Sequence, residues 1–193
     1  LILLLLATPS LSQSIEDPYQ KIEAVSERLV EIISAHQKDY PKNEKQYFEA
    51  ISGLMDGLVD FRYIAKKVMG PYKAMATQQQ IALFAQIFRQ GLIETYSRGL
   101  INYKDQKIVL VEQKSLKNGQ RTLVVKQEIR SSGNVFSLNY SMARKKTGEW
   151  MVINMSISGI NLRDIFRNQF LQAAQKSSGD IDTVITGWTS DID

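Results

Sequence analysis

The residues Phe136-Ser137-Leu138-Asn139-Tyr140-Ser141-Met142-Ala143, followed after a short loop by Trp150-Met151-Val152-Ile153-Asn154-Met155-Ser156-Ile157, decide how the chain is read. On the first arm Phe136, Leu138, Tyr140 and Met142 alternate with Ser137, Asn139 and Ser141. That is the period-two pattern of a strand buried on one side. The loop 144–149 is polar and contains Gly148, as a hairpin turn wants. Continued alternation puts Met151, Ile153, Met155 and Ile157 on one face of the return arm. These apolar faces are Met-rich and carry no paired charge. Two readings fit them: an ordinary core, or the floor of a pocket for an apolar guest.

Working outward, the period stays at two for two more strands upstream. Ile108 to Val111 forms one, and Leu123 to Arg130 the next. Lys117-Asn118-Gly119 and Ser131-Ser132-Gly133-Asn134 supply the turns. Four strands joined by short turns predict an antiparallel meander, one face of which helices must cover.

The flanks are helical. Asp17 and Pro18 open a first helix, with Gln20 placed to complete a capping box; Ile22, Val25, Leu29, Ile32 and Ile33 recur at helical spacing before Pro41. A second helix runs from Asn43 or Glu44 through Leu58, and a short third is capped by Asp60 and ended by Gly70. Thr77-Gln78-Gln79-Gln80 is a capping box before a long helix whose inner stripe holds Phe84, Phe88, Leu92 and Tyr96. Asn161 caps a return helix bearing Phe166 and Phe170, and Asp180 caps another from Ile181 to Trp188.

The leading run Leu1-Ile2-Leu3-Leu4-Leu5-Leu6-Ala7, with small residues at Ser10 and Ser12, reads as the end of a secretory signal peptide, truncated at its start and removed near residue 14. Residues 15–193 then form one domain, large enough for a sizeable core. An exported, cysteine-free chain of net charge +4 suits a bacterial periplasm.

Composition also excludes. One His and no Cys remove most zinc sites, thiol nucleophiles and His-based triads. There is no Gly-rich phosphate loop and no nucleophile elbow. No cofactor and no metal is expected. The clusters Lys66-Lys67 and Arg144-Lys145-Lys146 lack the aromatic ladder of a nucleic-acid surface. They read as solvated loops, or as docking points for an acidic partner or anionic headgroups. Asp56 and Asp60 stand four apart, which permits a paired-carboxylate reading beside the simpler one of a cap and a solvated face.

The order of Val59-Asp60-Phe61, Ile64-Ala65, Val68-Met69-Gly70, the helix with Phe84, Phe88, Leu92 and Thr95-Tyr96, Trp150 to Gly159-Ile160, and Phe166-Arg167-Asn168-Gln169-Phe170 resembles the MlaC/toluene-tolerance family of periplasmic phospholipid-binding proteins. Asn154 and Ser158 stand where that family usually has acidic residues, and Lys73-Ala74-Met75 lacks its frequent Trp. The resemblance implies an α+β fold: a curved four-stranded antiparallel sheet covered by helices around an apolar lipid cavity. It implies a non-enzymatic carrier that shuttles phospholipid between an inner-membrane ABC transporter with an MCE subunit and an outer-membrane lipoprotein–porin complex. Outer-membrane lipid asymmetry would be maintained in this way. Face assignment then makes Phe84, Phe88, Leu92, Tyr96, Leu138, Tyr140, Met151, Ile153, Met155, Phe166 and Phe170 the lipid-binding set. Two rivals stay open: a periplasmic adaptor with a filled sheet, and an enzyme using Asp56 or Asp60 on an apolar substrate.

Overall fold

The computed structural model describes residues 16–104 and 106–189. The expected signal peptide lies outside the described residues. Helices α1 (Pro18–Gln37), α2 (Glu44–Asp56), α3 (Phe61–Val68) and α4 (Gln78–Leu100) come first, with a 3-10 turn at Gly70–Ala74. Five strands follow: β1 (Lys107–Glu112), β2 (Thr122–Ser131), β3 (Asn134–Arg144), β4 (Trp150–Ile157) and β5 (Ile160–Asn161). Helices α5 (Leu162–Lys176) and α6 (Ile181–Thr186) close the chain. The sheet is an antiparallel meander in the order β1-β2-β3-β4-β5. The fifth strand corrects the expected four. Its two residues fold back on Ser156 and Ile157 and are too short to show a period.

Local chemistry sets the helix starts. Asp17 accepts from the Tyr19 amide at 2.8 Å, with Pro18 in the first turn. Asp60 accepts from Tyr63, Asn161 from Asp164, and Asp180 from Asp182 and Thr183. Thr77 and Gln80 form a complete capping box. Each cap satisfies amides that have no partner inside the helix. The Asn118-Gly119 turn sits within a longer connection between β1 and β2 rather than closing a tight hairpin.

Three packed clusters hold the elements together. One joins α1 and Leu58 to the sheet through Tyr19, Ile22, Val125, Met142, Trp150 and Val152. A second joins α1, α2 and α4 through Ile32, Ile33, Tyr47, Ile51 and Ile93. A third joins α3 to α6 around Phe84, Phe88, Phe166 and Phe170. The edge of β4 does not stay open. Val152 donates to the Leu58 carbonyl at 2.8 Å and accepts from the Asp60 amide at 3.0 Å, which ties the α2–α3 junction to the sheet. Such pairing removes an edge that would otherwise template aggregation.

Candidate functional site: the inner face of the sheet

The register assigns the faces. Tyr140 pairs with Val125 and Met155, and Leu138 with Gln127 and Ile157. Between Ser141 and Met142 the ladder to β4 shifts: Met142 faces Val152, whereas Ser141 faces Asn154. Ile153 is the extra residue of a bulge. Trp150 and Val152 therefore share the inner face with Met142, Tyr140, Met155 and Ile157, while Met151 lies with Ala143 and Asn154 on the outer one. This corrects the expected common face of Met151, Ile153 and Met155. Only Met155 of those three keeps its place. Four consecutive apolar residues, Trp150 to Ile153, carry no alternation from which a bulge could be read.

Burial along this inner face differs between its two ends. At one end Val125, Met142 and Trp150 are 0% exposed, and Val152 is buried beside them. Leu138 and Gln127, further along, are also buried. Tyr140, Met155, Ile157, Ile129, Ile108 and Leu110 are only half-buried although they point inward with the rest. At the far end Phe136 is 46% and Ile160 57% exposed. Helix α1 fills one end of the face and leaves the other incompletely covered.

The helical candidates divide the same way. Phe84, Phe88, Phe166 and Phe170 are fully or almost fully buried, and their rings pack on one another and on Trp188. The Phe84 and Phe170 centroids lie 4.9 Å apart in an edge-on contact, a geometry favoured by the ring quadrupoles. These four rings form a closed aromatic plug, buried against one another. Leu92 and Tyr96, one and two turns further along α4, are half-buried against that plug.

Polar groups are sparse and placed. Gln127 is buried within the apolar face and its Oε1 accepts from Ser26 Oγ at 3.1 Å, tying β2 to α1. Burial pushes the Tyr140 phenol well above the usual tyrosine range. Burial, and less so Tyr40, raises Tyr47 to about 12, and its hydroxyl donates to the Ser97 carbonyl at 3.0 Å. Neither Gln127 nor Ser26 was legible as a site residue, because a single polar residue in an alternating strand carries no signal of its burial. Asp60 is a helix cap, and both oxygens of Asp56 accept from Arg89 at 2.6 Å. Among the described residues no three His, Cys, Asp or Glu side chains gather to hold a metal. No helix among them is long and apolar enough to cross a membrane.

A curved antiparallel sheet, backed by helices that fill only part of its apolar inner face, defines a binding protein for an apolar guest. The family model described as MlaC protein matches residues 23–190, and the chain belongs to that family. Two relatives give the same direction. The chain is 28% identical over 193 residues to the toluene tolerance protein ttg2D of Pseudomonas putida, covering all of this chain and 89% of the relative. It is 25% identical over 171 residues to the intermembrane phospholipid transport system binding protein MlaC of Haemophilus influenzae, covering 88% and 79%. Among solved structures, the fold matches a phospholipid-binding protein from Ralstonia solanacearum in complex with a phospholipid. The TM-score is 0.72 at 20% identity, over 89% of this chain and 94% of that one.

Proposed function

We propose that this protein is a periplasmic phospholipid carrier that lays acyl chains along the half-covered part of the inner face. The carrying observation is the contrast between the sealed Trp150 end of the face and the half-buried or exposed Met155, Ile157 and Phe136 toward the other. Half-buried apolar side chains that point inward are costly to leave wet. Each buried CH₂ of a guest contributes about 0.8 kcal/mol, so a long chain offsets that cost many times over. The lining residues are Leu92 and Tyr96 on α4, and Leu138, Tyr140, Met155 and Ile157 on the sheet. Phe84, Phe88, Phe166 and Phe170 form the rigid wall behind them. The names of the Haemophilus and Ralstonia proteins support phospholipid as the guest.

The carrier moves lipid between the two membranes and keeps the outer one asymmetric. Its exchange partners are an inner-membrane ABC transporter with an MCE subunit and an outer-membrane lipoprotein–porin complex. A buried acyl tail leaves slowly, so release is coupled to a partner. No catalysis is required. The two acidic residues that an enzyme would use are held as an ion pair and a helix cap.

The test is native mass spectrometry of protein purified from the periplasm, with lipid extracted from the same sample. Co-purified phospholipid at a fixed ratio is expected. A clean unliganded mass that gains nothing from phospholipid vesicles refutes the reading.

A further inference from the structure

Some surface cations of this protein sit beside carboxylates. Lys21 pairs with Glu16, Arg28 with Glu31, Arg89 with Asp56, Arg98 with Glu44, Lys114 with Glu112 and Arg130 with Glu128. Others have no such partner among the described residues, and four of these gather in a hollow. Lys66 and Lys67 from the last turn of α3, Lys73 from the 3-10 turn and Arg167 from α5 line one groove of about 390 Å³ with Tyr63 and Gly70. No carboxylate lines it, and none of the four cations is in a salt bridge among the described residues.

The groove is built rather than incidental. Gly70 has φ +56°, and a Cβ there would fall 3.3 Å from Arg167 Nε and 3.4 Å from Leu171. The bare glycine backbone lets the guanidinium of Arg167 settle against the turn that carries Lys73. Lys67 is held over the Tyr63 ring, 5.4 Å from its centroid. The end of a helix accounts for Lys66 and Lys67, whose charges suit the α3 dipole. It does not account for Lys73 and Arg167, which reach the same groove from other elements.

We propose that this groove docks an acidic segment of a partner protein. Four like charges gathered without counter-charge raise the local potential and speed encounter with an anionic surface. Arg167 adds a planar fork suited to two carboxylate oxygens. The cations line a hollow, which an extended or helical segment can enter and a planar headgroup layer cannot. Among the described residues no apolar side chain but the Tyr63 ring lines the groove; Phe136 and Ile160 lie at the open end of the sheet, and of the exposed large hydrophobic residues Met75 alone is close to Lys73 in the chain. None of the four cations is buried, so a lone small anion would meet them through water and bind weakly. A segment bearing several carboxylates meets all four at once. The proposal does not depend on whether the protein carries lipid.

The experiment uses the full chain as purified and a fluorescein-labelled peptide of alternating glutamate and alanine, read by fluorescence anisotropy at low ionic strength. The same peptide with glutamine in place of glutamate is the control. Binding to the glutamate peptide is expected to weaken about tenfold or more in Lys66→Glu/Lys67→Glu and in Arg167→Glu, and to lose much of its salt dependence. The milder Lys73→Gln should weaken it less, and Lys117→Glu on a distant loop should leave it nearly unchanged. Circular dichroism and bound lipid measured on the same samples establish that each variant is folded and loaded. Equal binding of the two peptides, or a glutamate affinity indifferent to the groove variants, overturns the proposal. So does capture by phosphatidylglycerol vesicles, or displacement of the peptide by inorganic phosphate at equal charge, if the same variants abolish it. Loss of peptide binding by lipid-loaded protein touches this proposal alone, whereas absence of lipid touches only the carrier reading.

Discussion

The two ends of the sheet's inner face are made of similar residues and end in different states. At the Trp150 end, Met142, Val125 and Val152 are sealed under Tyr19 and Ile22 of α1. Toward the Phe136 end, Met155 and Ile157 point the same way but stay half-buried, and Tyr140 lies between, packed on the sealed cluster. Hydrophobicity does not separate the ends. What separates them is whether a helix has matching side chains to lay on the strand. Helix α1 covers one end, and its link to the middle of the face is the polar contact of Ser26 with Gln127. Beyond it α1 packs through Leu29, Ile32 and Ile33 with α2 and α4 instead.

The two ends should answer mutation differently. The largest effect belongs to the sealed end. Trp150→Ala should cost about 3–5 kcal/mol of stability, because it opens a void that cannot collapse; denaturant unfolding measures it. Phe88→Ala, in the aromatic plug, should fall in the same range. At the open end Met155→Trp should lower the phospholipid carried per protein while costing less than about 1 kcal/mol. Overpacking a filled core would instead cost about 1–3 kcal/mol. A stability loss of that size with unchanged lipid content would erase the contrast.

Two smaller effects sharpen the boundary between the ends. Ser26→Ala should cost about 1 kcal/mol, since it strips the acceptor of buried Gln127 of its donor. The double change Ser26→Ala/Gln127→Leu should recover part of that loss, because neither partner is then left unmatched. The smallest effect is in alkali. The folded pKa of Tyr47 lies above its unfolded value, so its contribution to stability is complete below pH 10 and is lost as pH rises toward about 12. Absorbance titration of phenolate should show a late component near pH 12 that Tyr47→Phe removes. Tyr47→Phe should flatten the loss of stability over that window.

The parts of the fold legible in the sequence are those fixed by neighbours in the chain. Asp60, Thr77, Asn161 and Asp180 could be read as caps because a cap satisfies amides two or three residues away. Gly70, Gly133 and Gly148 mark turns that need positive φ. The bulge at Ile153 could not be read, because it is set by pairing Val152 with Val59 across nearly half the chain. The same holds for the aromatic residues of α4 and α5. Their spacing shows which way they point, but not whether the facing rings fill the space between. Lys66 and Lys67 are visible as a pair in the sequence, whereas Lys73 and Arg167 join them only through the packing of α5 on Gly70.

The most direct test of the account is to crosslink the guest where it lies. Protein loaded with a phospholipid carrying a photoreactive diazirine midway along one acyl chain would be irradiated, digested and mapped by mass spectrometry. The account predicts label on Leu138 to Tyr140, on Met155 to Ile157 and on Leu92 to Tyr96, with none on Met142 or Trp150. Label concentrated at Met142 and Trp150, or scattered over the outer strand face at Val124 and Val111, would contradict it.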